Sequence, residues 1–218
     1  MNISPVIITC PGRESALTAT LESWQESDFA CVKPLIQLDQ GYGERRERQT
    51  NNARIALCRA LIELPSVDFV LFMEDDLAFN RHLKANLTSW MPLLDSMQVN
   101  RVPGMGGYFF GSLYNPNIRE QLVRDDYFVA DPTAVYGSQC FVLSVSMARE
   151  ILNHWEDEDG MQDIRISRIA ARYGSIYYHR PSLVQHVGTL STWGGSFHQC
   201  HDFNESFLRK PSLVTPLH

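Results

Sequence analysis

The sequence predicts an α/β fold, with residues 1–218 forming a single domain whose central sheet is mainly parallel and flanked by helices. Short apolar runs rich in β-branched and aromatic residues alternate with stretches of helical periodicity, which is typical of this class. The run at residues 67–73 is almost wholly apolar, as expected of a strand covered on both faces of a parallel sheet. Strands are expected near residues 5–10, 33–38, 67–73, 138–143 and 175–179.

The start of the chain predicts a βαβ unit. The strand near residues 5–10 is broken at Pro11, a helix follows, and a second strand ends at Asp39. A right-handed crossover would place Thr9, Arg13 and Asp39 at the carboxyl edge of the sheet, where α/β proteins bind ligands. Arg13 would then meet a phosphate, and Asp39 a ribose hydroxyl or a base. The alternative for each residue is a helix cap or a surface charge.

Helices and an irregular tail are predicted farther along the chain. Residues 44–64 favour one long helix, whose charged start is interpreted as a solvated face. Residues 80–97 have the pattern of a helix interrupted at Pro92. A strongly amphipathic helix begins at Asp163, and residues 189–218 show little periodicity.

An acidic triplet, Glu74-Asp75-Asp76, follows the apolar strand directly. Adjacent carboxylates repel one another unless they are solvated or neutralised by a cation. Hard divalent cations such as Mn²⁺ or Mg²⁺ prefer oxygen ligands, so the triplet predicts a metal-binding edge; the alternative is a solvated acidic turn. Asp76 lies farthest past the strand and can best reach a cleft.

Composition limits the classes of partner and location. The chain is 44% hydrophobic and carries a formal net charge of -6, which argues against a polyanion such as duplex nucleic acid as the main partner. No apolar run is long enough to span a bilayer, and the start lacks the pattern of a signal peptide. The five cysteines include no CxxC pair, so a reducing compartment, the cytoplasm, is expected. A zinc site at residues 198–201 lacks enough ligands.

Several short segments occur in a characteristic order along roughly residues 5–195. They are Thr9-Cys10-Pro11-Gly12-Arg13, Trp24, Asp39, Glu74-Asp75-Asp76, Gly137-Ser138-Gln139, Asp163 and Pro181-Ser182-Leu183-Val184-Gln185-His186-Val187-Gly188. In this order they resemble nucleotide-sugar-dependent glycosyltransferases of the GT-A fold. The last segment is similar to the end of the catalytic domain in branching N-acetylglucosaminyltransferases. The acidic triplet departs from the commoner Asp-x-Asp form, which leaves open which carboxylate binds the metal.

The resemblance implies a hexosyltransferase that needs Mn²⁺ or Mg²⁺. It would move a sugar from a nucleotide diphosphate donor, UDP being typical of the family, to a hydroxyl of a glycan or another acceptor. Inversion at the sugar is expected. The implied roles are metal binding by Glu74, Asp76 and His186, donor binding by Thr9, Arg13, Asp39 and Asp75, and general-base catalysis by Asp163.

Two of these roles have structural alternatives. Asp163 opens a predicted helix, where the positive end of the helix favours an ionised carboxylate, but the same position suits a helix cap. His186 carries an imidazole suited to manganese, and Gly188 permits a tight chain path beside it. A histidine that is simply packed or hydrogen-bonded would also fit the sequence.

Two other functions fit parts of the pattern. A sugar nucleotidyltransferase would share the α/β fold and the metal, but it should carry a glycine-rich phosphate loop after the first strand. Pro11-Gly12-Arg13 is a poor version of that loop, and the glycine-rich stretch at residues 103–107 lacks GxGxxG spacing. A non-catalytic module that binds sugar nucleotides would not need a positioned base such as Asp163.

Overall fold

The computed structural model describes residues 1–41, 43–63, 67–99, 107–116, 120–188 and 199–209. The strands within these ranges are β1 (Ile3–Thr9), β2 (Leu35–Leu38), β3 (Phe69–Met73), β4 (Leu77–Phe79), β5 (Phe110–Ser112), β6 (Glu120–Val123), β7 (Tyr127–Ala130), β8 (Cys140–Ser144), β9 (Ile176–His179) and β10 (Val184–His186). The α-helices are α1 (Glu14–Gln25), α2 (Arg45–Glu63), α3 (Leu83–Thr88), α4 (Met91–Val99), α5 (Val145–Asn153) and α6 (Gln162–Ala171).

A central eight-stranded sheet has the strand order β2-β1-β3-β8-β5-β9-β7-β6 among the described residues. Strands β2, β1, β3, β5, β9 and β6 run in one direction, whereas β8 and β7 run in the other. The α/β class with a mainly parallel central sheet is therefore confirmed. The antiparallel β8 lies between β3 and β5, so the segment that precedes β8 reaches the carboxyl end of β3.

Hydrophobic layers cover both faces of the sheet, because successive side chains of a strand point to opposite sides. Along β3, Val70 and Phe72 join the layer formed with α2, α5 and α6. Phe69, Leu71 and Met73 join the other layer, which includes side chains of α1, α3 and α4. All five side chains are buried, which explains why this strand is uniformly apolar in sequence.

The predicted strands correspond to β1, β2, β3, β8 and β9, and the predicted helix at residues 44–64 corresponds to α2. The interruption near Pro92 separates α3 from α4, with Pro92 in the first turn of α4, where its missing N–H costs nothing. Strands β4, β5, β6, β7 and β10 were not predicted. They have three or four residues each, a length at which an alternating pattern is weak, although β2 and β9, also of four residues, were predicted.

A second, two-stranded sheet pairs β4 with β10 in antiparallel fashion. It places His186 opposite Leu77, the residue that follows the acidic triplet. This pairing joins segments that lie far apart in sequence and brings His186 to the cleft at the end of β3.

The irregular tail predicted for residues 189–218 is described only at residues 199–209, where turns but no helix or strand are found. Residues 189–198 and 210–218, like residues 103–106 of the glycine-rich stretch, lie outside the described ranges, and the single-domain boundary stays a prediction. No described helix is both long enough and apolar enough to cross a membrane.

Candidate active site

A cleft of about 770 Å³ opens where β1, β2 and β3 end and β8 begins. Its lining includes every site residue proposed from the sequence. These residues are Thr9, Arg13, Asp39, Glu74, Asp75, Asp76, Asp163 and His186. The carboxyl ends of neighbouring parallel strands meet at one edge, so the strand ends account for most of this convergence.

His186 reaches the acidic triplet through the small sheet of β4 and β10. The backbone N–H of Val187 donates a hydrogen bond of 2.9 Å to the carbonyl of Asp76. Nε2 of His186 then lies 3.0 Å from Oδ2 of Asp76. The register of the sheet thus brings together an imidazole and a carboxylate that are separated by 110 residues in the chain.

Arg13 forms ion pairs with two acids of the triplet. Its Nε donates to Oδ1 of Asp75 at 2.7 Å, and its Nη2 donates to Oδ2 of Asp76 at 2.5 Å. Thr9 donates its hydroxyl to the other oxygen of Asp75 at 2.5 Å. Arg13 stands at the N-cap position of α1, but its side chain makes no capping hydrogen bond. The alternative of a helix cap therefore does not describe its side chain.

Glu74 belongs to a chain of polar side chains that sequence reasoning only partly foresaw. The hydroxyl of Ser138 donates to Oε1 of Glu74 at 2.5 Å, and Nε2 of the buried Gln162 donates to Ser138 Oγ at 3.0 Å. The backbone N–H of Glu74 also donates to the carbonyl of Gln139. Nothing in the local pattern distinguishes Gln162, because its partners come from a distant strand end.

The three acids differ in the charge that their surroundings favour. Burial, reinforced by the negative charge of Asp76, raises the pKa of Glu74 to about 7. Burial also raises the pKa of Asp75 above its ordinary value. Burial alone would raise the pKa of Asp76, but His186 and Arg13 outweigh it and hold the pKa below the ordinary value. The structure therefore favours an ionised Asp76 at neutral pH.

We expect Glu74→Gln to flatten the pH dependence of stability between about pH 4.5 and 7. The folded protein holds a proton on Glu74 up to a pKa of about 7, above the unfolded value of about 4.3. Stability from this group is fully present below the unfolded pKa and is lost as pH rises through the folded pKa, a loss of at most about 4 kcal/mol.

Urea unfolding at about pH 5.5 and about pH 8 measures this difference in the wild type and the variant. Glu22→Gln is the matched control, since it removes a carboxyl group from an exposed position on α1. An unchanged difference in free energy of unfolding in Glu74→Gln would contradict the assignment.

Gly188 allows the chain to pass close to the triplet. A Cβ at this position would overlap Oδ2 of Asp76 and would lie 3.0 Å from Nε2 of His186. Because Arg13 and His186 hold that carboxylate in place, it cannot move aside cheaply.

Gly188→Ala is therefore expected to lower the free energy of unfolding by roughly 1–3 kcal/mol, as other overpacking substitutions do. Gly174→Ala is the control, because no atom of the described residues lies within 4 Å of the Cβ that it adds. Chemical denaturation of both variants measures the costs, and equal values would show that Gly188 is not packed against the triplet.

The basic start of α2 also borders the cleft. Arg48 donates from Nε and Nη2 to Oδ2 of Asp39, at 3.0 and 2.8 Å, and the N–H of Gly41 donates to Oδ1 of Asp39 at 3.0 Å. Arg45 lines the cleft one turn earlier. The interpretation of this helix start as a solvated face is therefore wrong for Arg48, whereas Arg45 is exposed at the rim of the cleft, as that interpretation expects.

A stripe of polar residues along α2 indicates, in the sequence itself, which face of this helix borders the cleft. Arg45, Arg48, Gln49 and Asn52 follow helical spacing, and all four line the cleft. Asn52 is buried, and its Nδ2 donates to the carbonyl of Thr9 at 3.1 Å. The stripe was detectable from spacing alone, but polar residues on a helix are usually solvated.

Asp163 lies in the first turn of α6 and joins this helix to the start of β8. Its Oδ2 accepts a 2.7 Å hydrogen bond from the N–H of Gly137, and its Oδ1 accepts from the N–H of Ile164. Met161, not Asp163, occupies the N-cap position. Asp163 therefore lines the cleft as a hydrogen-bonded carboxylate rather than as the N-cap of its helix.

The donor set around Asp76 suits a hard divalent cation. Oδ1 of Asp76 is buried and has no hydrogen-bond partner among the described residues, an expensive arrangement for an ionised oxygen. Glu74 and His186 line the same cleft and offer further oxygen and imidazole ligands. Within the described ranges, no three acidic, histidine or cysteine side chains already form a ligand set, so binding needs side-chain rearrangement.

Comparisons with known proteins find likenesses among solved structures. No protein-family model matches the chain, and no curated protein matches it. Among solved structures, the chain is similar to a glycosyltransferase involved in the glycosylation of the major capsid of PBCV-1. The match has 9% identity and a TM-score of 0.49, and it covers 88% of this chain and 95% of that chain. This likeness does not identify a reaction. The function proposed below therefore rests on the chemistry of the residues that line the cleft.

Proposed function

We propose that this protein is a metal-dependent glycosyltransferase of the hexosyltransferase type. It transfers a sugar from a nucleotide diphosphate sugar, UDP-linked as the sequence resemblance suggests, to a hydroxyl of a glycan or another acceptor. The observation that carries the proposal is the convergence of an acidic triplet, basic side chains and a separate carboxylate around one cleft. Each group meets one chemical requirement of such a transfer.

The first requirement is to neutralise the diphosphate leaving group. Asp76, with its unpaired buried oxygen, would hold Mn²⁺ or Mg²⁺ together with Glu74 and His186. The bound cation supplies Lewis-acid stabilisation of the negative charge that develops on the leaving phosphate. Arg13 and Arg45 line the same cleft and add positive charge for the phosphates.

The second requirement is to hold the nucleoside. Asp39 follows β2 and keeps its carboxylate at the cleft through its contacts with Arg48 and Gly41. A fixed carboxylate at the end of a strand is suited to accept hydrogen bonds from ribose hydroxyls or from a base. Thr9 and Asp75 complete this edge and keep Arg13 in position.

The third requirement is a base for the acceptor. In an inverting transfer, the acceptor oxygen forms a bond to the anomeric carbon while the bond from that carbon to the phosphate oxygen breaks. The electron pair leaves with the nucleoside diphosphate, and the hydroxyl proton passes to Asp163. Asp163 is suited to this role because it lies across the antiparallel start of β8 from the triplet and lines the cleft.

A donor screen tests the proposal directly. Purified protein is incubated with a panel of nucleotide sugars, with and without Mn²⁺, and nucleoside diphosphate and pyrophosphate are measured separately. We expect Mn²⁺-dependent release of nucleoside diphosphate and stabilisation of the folded protein by the preferred donor. Pyrophosphate release would support a sugar nucleotidyltransferase instead. Donor binding without turnover, in the presence of varied acceptors, would support a binding module.

A further inference from the structure

Arg13 and a divalent cation compete for the same carboxylate. Nη2 of Arg13 lies 2.5 Å from Oδ2 of Asp76, and Nε2 of His186 lies 3.0 Å from that same oxygen. The guanidinium group therefore provides, from within the chain, the positive charge that a metal would bring to Asp76. The two cations would repel each other strongly at such short range.

Arg13 is also the partner that is able to move. Its side chain is 21% exposed, whereas those of Asp75 and Asp76 are 5% and 7% exposed. The two carboxylates are held by the end of β3 and by contacts from Thr9 and His186. A long arginine side chain at the edge of a cleft can turn toward a new anion, but the buried carboxylates cannot follow it.

We infer that Arg13 is an exchangeable internal cation, which leaves Asp76 for the donor diphosphate and thereby admits the divalent metal. This inference rests on the proposed function, since it concerns the same metal and donor site. Before donor binding, Arg13 neutralises Asp76 and keeps metal affinity low. The diphosphate would attract the guanidinium group, and the released Asp76 would then be available to hold the divalent cation, which would supply positive charge beside the phosphates.

Such an exchange couples the two ligands. Metal and nucleoside diphosphate both favour the arrangement in which Arg13 has left Asp76, so each raises the affinity for the other. The pair between Arg13 and Asp75 can persist during the exchange, because it uses a different nitrogen and a different carboxylate. Asp75 would then serve as the pivot for Arg13 while Asp76 serves as the metal ligand.

The test measures Mn²⁺ binding by electron paramagnetic resonance, with and without saturating UDP, in full-length wild type and in Arg13→Met. We expect the variant without UDP to bind Mn²⁺ more tightly than the wild type, roughly 5- to 150-fold, the usual range of coupling between sites. We also expect UDP to increase Mn²⁺ affinity less in the variant than in the wild type.

Arg45→Met is the matched control, since it removes the same charge from the same cleft while leaving Asp76 paired. It should change Mn²⁺ affinity without UDP far less than Arg13→Met does. Arg13→Lys covers the case in which Arg13→Met does not fold. A single ammonium group cannot span both acids as the guanidinium group does, so metal affinity without UDP should still rise.

The outcomes separate the inference from the function. Equal or weaker Mn²⁺ binding by both Arg13 variants, with UDP and metal still bound by the wild type, overturns the inference and leaves the proposed function standing. Similar gains in Arg13→Met and Arg45→Met also overturn it, because net charge alone would then explain them. If no protein in the series binds Mn²⁺ or UDP, both the inference and the proposed function fail.

Discussion

Asp76→Asn is expected to lower sugar transfer by roughly two to four orders of magnitude, because Lewis-acid stabilisation is worth several kcal/mol and each ~1.4 kcal/mol is a factor of ten. Asparagine keeps an oxygen that can accept from Arg13 or His186, but it lacks the negative charge that attracts a metal. The measurement is turnover of the preferred donor over a range of Mn²⁺ concentrations.

Folding must be separated from catalysis in this variant. Circular dichroism and thermal unfolding should show the wild-type fold, with some loss of stability from the weakened pair with Arg13. Asp95→Asn, on the exposed side of α4, is the control and should retain wild-type turnover. Unchanged Mn²⁺-dependent activity in Asp76→Asn would reject Asp76 as the metal ligand.

Asp163→Asn is expected to bind the nucleotide sugar normally and to lower turnover by roughly two to four orders of magnitude, the usual contribution of a positioned base. The amide oxygen of asparagine can still accept the hydrogen bond from Gly137, so the junction between α6 and β8 should persist. What the variant loses is the ability to take a proton from the acceptor. Donor affinity by calorimetry and turnover by product analysis measure the two effects separately.

The neighbouring loop supplies the control for this substitution. Asp159→Asn removes a nearby carboxylate at an exposed position and should leave turnover unchanged. If Asp163 only supported the helix, its replacement would cost about 1 kcal/mol of stability and little turnover. Near-normal turnover in Asp163→Asn, or a product that retains the anomeric configuration of the donor, would reject the base assignment.

The sequence predicted the sheet edge well because strand ends leave local marks. Apolar runs that stop at Thr9, Asp39 and Glu74 locate the ends of β1, β2 and β3 to within one residue. Parallel neighbouring strands bring their carboxyl ends together, so one rule placed several of the residues proposed for donor and metal binding at one edge. The helices α2 and α6 were predicted for a similar reason, because the helical repeat of apolar residues recurs several times within each helix.

Five strands of three or four residues escaped prediction, whereas β2 and β9, which also have four residues, did not. A strand this short completes at most two alternations, so its structure depends largely on its partners. The role of Arg48 in α2 was misjudged for a related reason. The helical spacing of the polar residues was visible, but whether such a stripe faces water or a cleft depends on what packs beside the helix. Arg48 turns toward Asp39 because β2 ends there.

What the sequence by itself determined is the α/β class, the positions of the main strands along the chain and the kinds of side chain at the ends of β1, β2 and β3. Only the tertiary structure decided that β8 runs antiparallel beside β3 and brings Ser138 and Asp163 to the triplet. It also decided that β10 pairs with β4, and that Arg13 and His186 share one oxygen of Asp76. The physical reason is distance along the chain, since His186 and Asp76 are 110 residues apart. Pairing across such a separation depends on long-range packing. It therefore produces no repeating pattern of residues in either segment that could be recognised in the sequence.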